Sequence, residues 1–214
     1  MSPWNEYLAM LTGLTAVVDP LGAIPVYLSL SQHRSRVQSR NNAFLCAGSV
    51  IVVLLTALVS GDAVLKLFGI GLPAFRVAGG ILIMTMGLNM LQASYDRSRQ
   101  TPEEHEESAE KDSIAVVPMA IPMLSGPGAI STIIVYGNAD PSLGHLLLVG
   151  AVILSVAVLV LIALLLAEPI SAAMSRTSMN VITRVMGMII LSIAVEFIAS
   201  GLNQLFPVLG KVSQ

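Results

Sequence analysis

Residues 114–136 form a long apolar segment of the chain that contains no charged side chain. The segment is long enough to cross a bilayer, which takes about 20 residues of α-helix. Three prolines and two glycines lie within residues 118–132, and both residue types weaken a helix interior. We therefore predict a helix that is broken at membrane depth around residues 125–128, with a new half-helix that begins near Ala129.

The break at residues 125–128 frees backbone polar groups that lipid cannot satisfy. Such groups are tolerated at membrane depth only where protein or a water-filled cavity surrounds them. In secondary transporters, half-helix N-termini of this kind hold anionic or polar groups of the substrate. The alternative interpretation is a proline-kinked spanning helix that binds no ligand.

The composition of the chain excludes a soluble protein. Of 214 residues, 55% are hydrophobic and 11% are charged, against about 25% charged residues in soluble domains. The net charge is −2, and no basic face or aromatic platform is visible, so we predict no nucleic-acid partner. Cys46 is the only cysteine, which excludes disulfides and thiolate metal sites within one chain. We predict neither a metal site nor a cofactor.

The apolar segments divide into six spans, which predicts an all-α membrane protein with six transmembrane helices. The spans are residues 7–30, 43–59, 73–93, 114–136, 145–167 and 181–205. The first span is interrupted at residues 19–25, which read Asp-Pro-Leu-Gly-Ala-Ile-Pro. We expect the second span to end at Ser60-Gly61-Asp62, and a separate apolar link to follow at residues 64–72.

Two short matches join the halves of the chain. The sequence Gly-Ala-Ile at residues 22–24 recurs at residues 128–130, each time beside a proline-containing break. The sequence Arg-Val-Ala-Gly at residues 76–79 is echoed by Arg-Val-Met-Gly at residues 184–187, with a nearly equal offset. We predict two inverted three-helix repeats, residues 1–93 and 114–214, with broken first and fourth helices. Paired interruptions at corresponding places in such repeats point to a binding site near the bilayer midplane.

The basic residues of the connecting segments predict the orientation. The connectors after the first, third and fifth spans hold seven lysines and arginines, and those on the other side hold two. Basic connectors stay in the cytoplasm, so we expect both termini outside an inner membrane and an acidic cytoplasmic loop at residues 94–113. The N-terminus lacks a basic region and a clear cleavage site, so we interpret it as the start of the first span and not as a cleaved signal.

Three stretches resemble the MarC family of bacterial inner-membrane proteins. They are residues 19–25, residues 72–82 (LPAFRVAGGIL) and residues 122–130 (PMLSGPGAI). The resemblance extends over nearly the whole chain, and members of this family are similar to LysE-type exporters in architecture. It implies transport of small neutral amino acids such as glycine and alanine, coupled to protons.

We expect the substrate to bind where the two breaks face each other. The predicted substrate-binding residues are Asp19, Pro20, Gly22, Pro25, Ser125, Gly126, Pro127, Gly128, Ser131 and Thr132. The hydroxyls of Ser125, Ser131 and Thr132 can donate to a substrate carboxylate; the alternative is that each bonds its own helix. Asp19 can carry a proton or pair with a substrate ammonium, and it can also cap the half-helix that begins near Gly22.

Three further ionisable residues lie inside the predicted spans. Glu196 is predicted to couple protons, because burial among apolar neighbours raises the pKa of a carboxyl group; the alternative is a structural hydrogen bond. Arg76 and Arg184 occupy matching places in the third and sixth spans. They can gate the site by pairing with carboxylates, or extend to the membrane interfaces.

The sequence thus predicts a secondary membrane transporter whose partners are a small-molecule substrate and membrane lipid. A channel or passive facilitator for a small solute is the alternative function. The motifs of metalloproteases, serine hydrolases and P-loop ATPases are absent, so we do not expect an enzyme. Assembly into a homo-oligomer is left open.

Overall fold

The structure is a computed structural model that describes residues 3–31, 35–91, 123–173 and 176–207. In these ranges the regular secondary structure consists of helices only. The helices are α1 (Pro3–Val18), α2 (Ala23–Ser31), α3 (Arg36–Leu67), α4 (Leu72–Leu91), α5 (Pro127–Gly137), α6 (Leu143–Leu165), α7 (Ala167–Ala173) and α8 (Arg176–Leu205). The predicted acidic loop and the part of the fourth span before Met123 lie outside the described residues.

Four helices are long and apolar enough to cross a membrane. The qualifying segments are Arg36–Leu67, Leu72–Leu91, Leu143–Leu165 and Asn180–Leu205, and Pro127–Gly137 is a shorter apolar helix. Large apolar side chains also cover the outside of the bundle, such as Val52, Leu147 and Val158, each more than half exposed. An apolar surface of this extent is compatible with lipid and not with water.

The first predicted span is interrupted by a short non-helical segment. Helix α1 ends at Val18 and α2 begins at Ala23. Between them, Asp19 has a φ of 52°, in the left-handed region that aspartate tolerates better than most residues. Its Oδ1 accepts the N–H of Gly22 at 3.1 Å, which stabilises the start of α2. Pro25 falls in the first turn of α2, where a helix needs no backbone donor.

The predicted end of the second span at residues 60–62 is wrong. Helix α3 continues through this segment and ends at Leu67; Gly69, which has a φ of 66°, follows the C-cap residue Phe68. The hydroxyl of Ser60 donates to the carbonyl of Thr56 at 2.6 Å inside the helix. Gly61 lies against the side chain of Ile134, so this glycine serves helix packing and does not end the helix. The separate link predicted at residues 64–72 is therefore also wrong: its first part belongs to α3, and a short turn joins Leu67 to Leu72, the first residue of α4.

Helices α4 and α8 make the most extensive helix contact among the described residues, and they run antiparallel. A Cβ atom on Gly87 would lie 3.0 Å from the carbonyl oxygen of Gly187, and one on Gly80 would lie 3.0 Å from that of Ala194. At the other end, Gly201 lies against the backbone of Pro73. Small residues thus let the two backbones approach closely, as is common where helices pack in lipid.

This packing predicts an asymmetry between two glycine substitutions. Gly87→Val should lower the free energy of unfolding by about 1–3 kcal/mol, because the backbone of α8 leaves no room for a side chain. Gly48→Val, in the middle of α3, is the control, since a Cβ atom there meets no heavy atom within 4 Å. Denaturant unfolding in detergent compares the two variants, and equal losses of stability would contradict the predicted packing.

Helix α5 lies at the centre of the described bundle. It contacts α1, α3, α4 and α6, and most of its side chains are buried. Its first turn lies against Val17 near the end of α1 and against Ile83 and Met86 of α4. The break that precedes α5 is therefore directed into the interior of the protein.

Candidate functional site

The two interrupted segments lie next to each other. A Cβ atom on Gly128, in the first turn of α5, would lie 3.4 Å from Cγ1 of Val17, two residues before Asp19. Asp19 and Ser125 are only 2% and 1% exposed. The buried polar groups of the first break are thus close to the buried start of α5.

Within the described residues, the start of α5 has hydrogen-bond donors that no capping side chain accepts. Its N-cap residue is Gly126, which has no side chain to accept a bond, and Pro127 follows with no N–H of its own. The N–H groups of Gly128 and Ala129 have no acceptor within the helix, and the helix dipole makes this end partly positive. The buried Oγ of Ser125 has no hydrogen-bond partner among the residues that the structure describes. This cluster of donors suits an anionic group.

Ser131 and Thr132 do not contribute their hydroxyl hydrogens to the site. Both hydroxyls donate to the carbonyl oxygen of Gly128, at 2.9 and 2.8 Å. This bonding within the helix is the alternative that the sequence left open, and it is favoured because the buried hydroxyls have no water to bond. Of the three predicted hydroxyls, Ser125 is the one with an unused donor.

One residue in the first break and the first residue of α5 are exposed. Leu21 is 41% exposed between the buried Pro20 and Gly22. Pro127 is likewise exposed between the buried Gly126 and Gly128. Each of these exposed residues is thus flanked by buried neighbours.

Pro25 lies away from the buried part of the first break. Its side chain is exposed inside the first turn of α2. The prediction that Pro25 binds substrate is therefore not supported by its position. Proline suits this place for a backbone reason, since an N–H in the first turn would have no acceptor within the helix.

Glu196, Arg76 and Arg184 lie outside the two breaks. Glu196 is exposed on α8, so its carboxyl group lacks the buried surroundings that the sequence predicted. Arg76 is half-buried, and its Nη1 donates to Oγ of Ser200 at 2.7 Å and not to a carboxylate. Arg184 is exposed near the other end of the antiparallel pair of helices α4 and α8. The bond to Ser200 favours a structural role for Arg76 over a gating one. The exposure of Arg184 is compatible with the alternative interpretation, a side chain that extends to the membrane interface.

A buried histidine that the sequence did not single out connects three helices. His145 is 7% exposed, its Nε2 lies 2.8 Å from the carbonyl oxygen of Tyr136, and its Nδ1 lies 2.9 Å from the hydroxyl of Tyr7. A carbonyl can only accept, so Nε2 carries the hydrogen and Nδ1 accepts from Tyr7 in the neutral ring. The start of α1 is thereby fastened to the end of α5 and the start of α6. The sequence shows only that His145 follows a serine, Ser142, which caps the start of α6. It does not show the bond to Tyr7, because Tyr7 is distant along the chain.

One carboxyl group in the α5–α6 connection has a shifted pKa. The backbone N–H of Ser142 donates to Oδ1 of Asp140 at 2.8 Å and lowers the pKa of this exposed carboxyl group. The bond stabilises the turn that leads into α6.

A separate groove runs along α3, away from the two breaks. Its volume is about 790 Å³. It is lined by Asn41, Phe44, Leu45, Gly48, Ser49, Val52 and Val53. None of these residues belongs to the predicted site, and the open, apolar lining is what a lipid-facing helix surface provides.

The long apolar helices and the apolar outer surface define an α-helical integral membrane protein. Residues 4–206 match the family described as MarC family integral membrane protein. The chain therefore belongs to the MarC family. No solved structure matches the chain.

Several relatives are similar to the chain over nearly their whole length. The UPF0056 membrane protein YhcE of Escherichia coli (strain K12) is 37% identical over 202 residues, which cover 94% of each chain. The UPF0056 membrane protein YvbG of Bacillus subtilis (strain 168) is 36% identical over 200 residues, 92% of this chain and 93% of the relative. A UPF0056 membrane protein of Aquifex aeolicus (strain VF5) is 33% identical over 208 residues, 94% of this chain and 97% of the relative.

Proposed function

We propose that the chain is a secondary transporter that binds a small neutral amino acid between its two broken segments and couples its movement to protons. The contact between the start of α5 and the end of α1 carries this proposal, because it brings Val17, two residues before the buried Asp19, against the first turn of α5, which follows the buried Ser125. A carboxylate attracts an ammonium group, and a helix N-terminus attracts a carboxylate. An α-amino acid carries both groups on one carbon atom.

The packing of α4 against α8 supports two inverted repeats. Gly87 contacts Gly187, and Gly80 contacts Ala194. The same shift along the chain takes Gly80 to Gly187 and Gly87 to Ala194, so it turns one contact into the other. A twofold axis between two inverted repeats exchanges contacts in this way. The exposed residues Leu21 and Pro127 are related by a shift that is one residue shorter.

The bond between Tyr7 and His145 supports the proposed orientation. It holds the N-terminal end of α1 on the same side of the bundle as the connection between α5 and α6. An inner-membrane protein with both termini outside and six spans requires this arrangement. The excess of lysine and arginine in the other connectors assigns that shared side to the exterior.

We assign proton coupling to Asp19 and not to Glu196. Asp19 is buried at the break, whereas Glu196 is exposed on α8. An ionisable group inside the membrane that faces protein is the usual element of a proton pathway. Nothing in this arrangement resembles a catalytic constellation, so we propose no enzymatic activity.

Uptake of labelled glycine and alanine into proteoliposomes, with and without an imposed proton gradient, tests the proposed function. We expect accumulation above the external concentration only when the gradient is present. Uptake that reaches but never exceeds the external concentration would instead favour the channel or passive facilitator. Absence of uptake in both conditions would remove the assignment of these substrates.

Two serine substitutions separate ligand binding from helix stability. Ser125→Ala removes a buried hydroxyl with no partner among the described residues, so it should leave the unliganded protein as stable as before and weaken ligand binding about tenfold. Ser131→Ala is the matched control, because its hydroxyl already donates to Gly128. That variant should lose about 1 kcal/mol of stability and keep its ligand affinity. Thermal unfolding with and without glycine measures both effects, and the opposite pattern would exclude Ser125 from the site.

A further inference from the structure

The side chains that face the start of α5 from α4 and α1 are apolar. A Cβ atom on Gly128 would lie 3.0 Å from Sδ of Met86, 3.3 Å from Cγ1 of Ile83 and 3.4 Å from Cγ1 of Val17. These three side chains therefore close one flank of the donor cluster formed by Ser125 and the first turn of α5. A part of a ligand that extends toward these three side chains meets hydrocarbon and a thioether.

The three side chains differ in how far they can move. Ile83 is fully buried and Val17 is 1% exposed, and both are branched at Cβ, which restricts their rotamers. Met86 is only half-buried, unbranched and flexible, so it can adapt its position to a neighbouring group. Among these three side chains, Met86 is thus the one that a bound ligand can displace and the one that is partly exposed.

We propose that Met86 sets the size limit for the ligand side chain at the site beside α5. The inference rests on the proposed function, since it assumes that the carboxylate of the ligand binds at Ser125 and the N–H groups of Gly128 and Ala129. With the carboxylate held there, the substituent on the next carbon atom competes with the Met86 thioether for the same space. A small substituent fits beside Met86, and a branched or long one does not.

Ligand binding to purified protein in detergent tests this inference directly. The series is glycine, alanine, 2-aminobutyrate, valine and leucine, with glycinamide as the ligand that lacks a carboxylate. In the wild type we expect affinity to fall from alanine to leucine, and glycinamide to bind at least tenfold more weakly than glycine. In Met86→Ala, the ratio of the Kd for valine to the Kd for glycine should fall about tenfold or more, as expected when a pocket gains room for one or two methyl groups.

Three variants guard against a general loss of structure. Met86→Leu conserves volume and should keep the wild-type size limit. Ile83→Val removes one methyl group from the same flank and should shift the limit in the same direction by a smaller factor. Leu88→Ala lies on the exposed face of α4 and should change no ligand ratio. An unchanged valine-to-glycine ratio in Met86→Ala overturns the inference, and so does equal binding of glycine and glycinamide.

The binding series and the uptake assay fail independently. Binding with the predicted Met86 dependence, but without gradient-driven accumulation, would uphold the size limit and reject the transport function. Gradient-driven accumulation with a size limit that ignores Met86 would uphold the function and reject the role of this residue.

Discussion

Replacing Gly128 with leucine is expected to abolish amino-acid uptake while the protein still inserts into the membrane. Even a Cβ atom at this position would crowd Met86 at 3.0 Å, and a full leucine side chain would separate the start of α5 from α1. A ligand would then lose the hydroxyl of Ser125 and the two N–H groups of the first turn. At about 1 kcal/mol for each bond, the combined loss is about 3 kcal/mol, or roughly a hundredfold in binding.

The control for this prediction is Gly48→Leu in α3, where the added side chain has open space. Both variants should reach the membrane in similar amounts. Gly128→Leu should also lose about 1–3 kcal/mol of stability through overpacking, which denaturation in detergent measures separately. Uptake by a well-inserted Gly128→Leu protein at the level of Gly48→Leu would exclude the start of α5 from the site.

The second large effect concerns the charge of Asp19. Asp19→Asn should lower gradient-driven accumulation at least tenfold and leave the fold intact. Asparagine keeps an oxygen that accepts the N–H of Gly22, and it tolerates the φ of 52°. It cannot, however, release a proton or pair as an anion with a substrate ammonium. The variant therefore removes the charge without removing the cap.

Asp62→Asn provides the comparison for the loss of a carboxylate elsewhere. Asp62 pairs with Lys66 one turn later in α3; the side chain of Lys66 is largely exposed and that of Asp62 about half exposed. Loss of such a pair should change stability by less than about 1 kcal/mol and should not affect accumulation. Equal accumulation of substrate by Asp19→Asn and Asp62→Asn would exclude Asp19 from both proton coupling and ammonium binding.

The first break was predictable because its chemistry is local. Aspartate tolerates the left-handed backbone, and its carboxylate bonds a backbone N–H three residues later, so a few neighbouring residues specify the turn. The start of α5 was predicted near Ala129, and the helix begins two residues earlier, at Pro127. Pro127 suits the first position of a helix and disrupts the middle of one.

The continuation of α3 through Gly61 was not predictable from local sequence. Ser60-Gly61-Asp62 resembles a turn, but Ile134 of α5 occupies the space that any side chain on Gly61 would need. The reason for this glycine therefore lies in a residue that is distant along the chain. The bond between Tyr7 and His145 is invisible in the sequence for the same reason.

The apolar neighbours of Glu196 along the chain predict that it is buried, but its exposure depends on which face of α8 it occupies. Gly187, Ala194 and Gly201 repeat every seven residues and mark the face of α8 that packs on α4. Glu196 follows Ala194 by two residues, which turns it about 200° away from that face. An apolar neighbourhood along the chain thus does not imply a protein neighbourhood in a membrane helix, because lipid is also apolar.

The central claim of this account is that both breaks line one site that opens alternately to the two sides of the membrane. Single cysteines at Leu21→Cys and Pro127→Cys, in a Cys46→Ala background, report on access to the two breaks. Both positions are exposed, and the native Cys46 is buried. The labelling rate with a membrane-impermeant thiol reagent is measured from each side of the vesicle, with and without glycine and the proton gradient. We expect conditions that drive uptake to raise labelling from one side and lower it from the other. If the labelling rates from both sides stay high with and without ligand and gradient, the site is a continuous pore, and this result would contradict the claim.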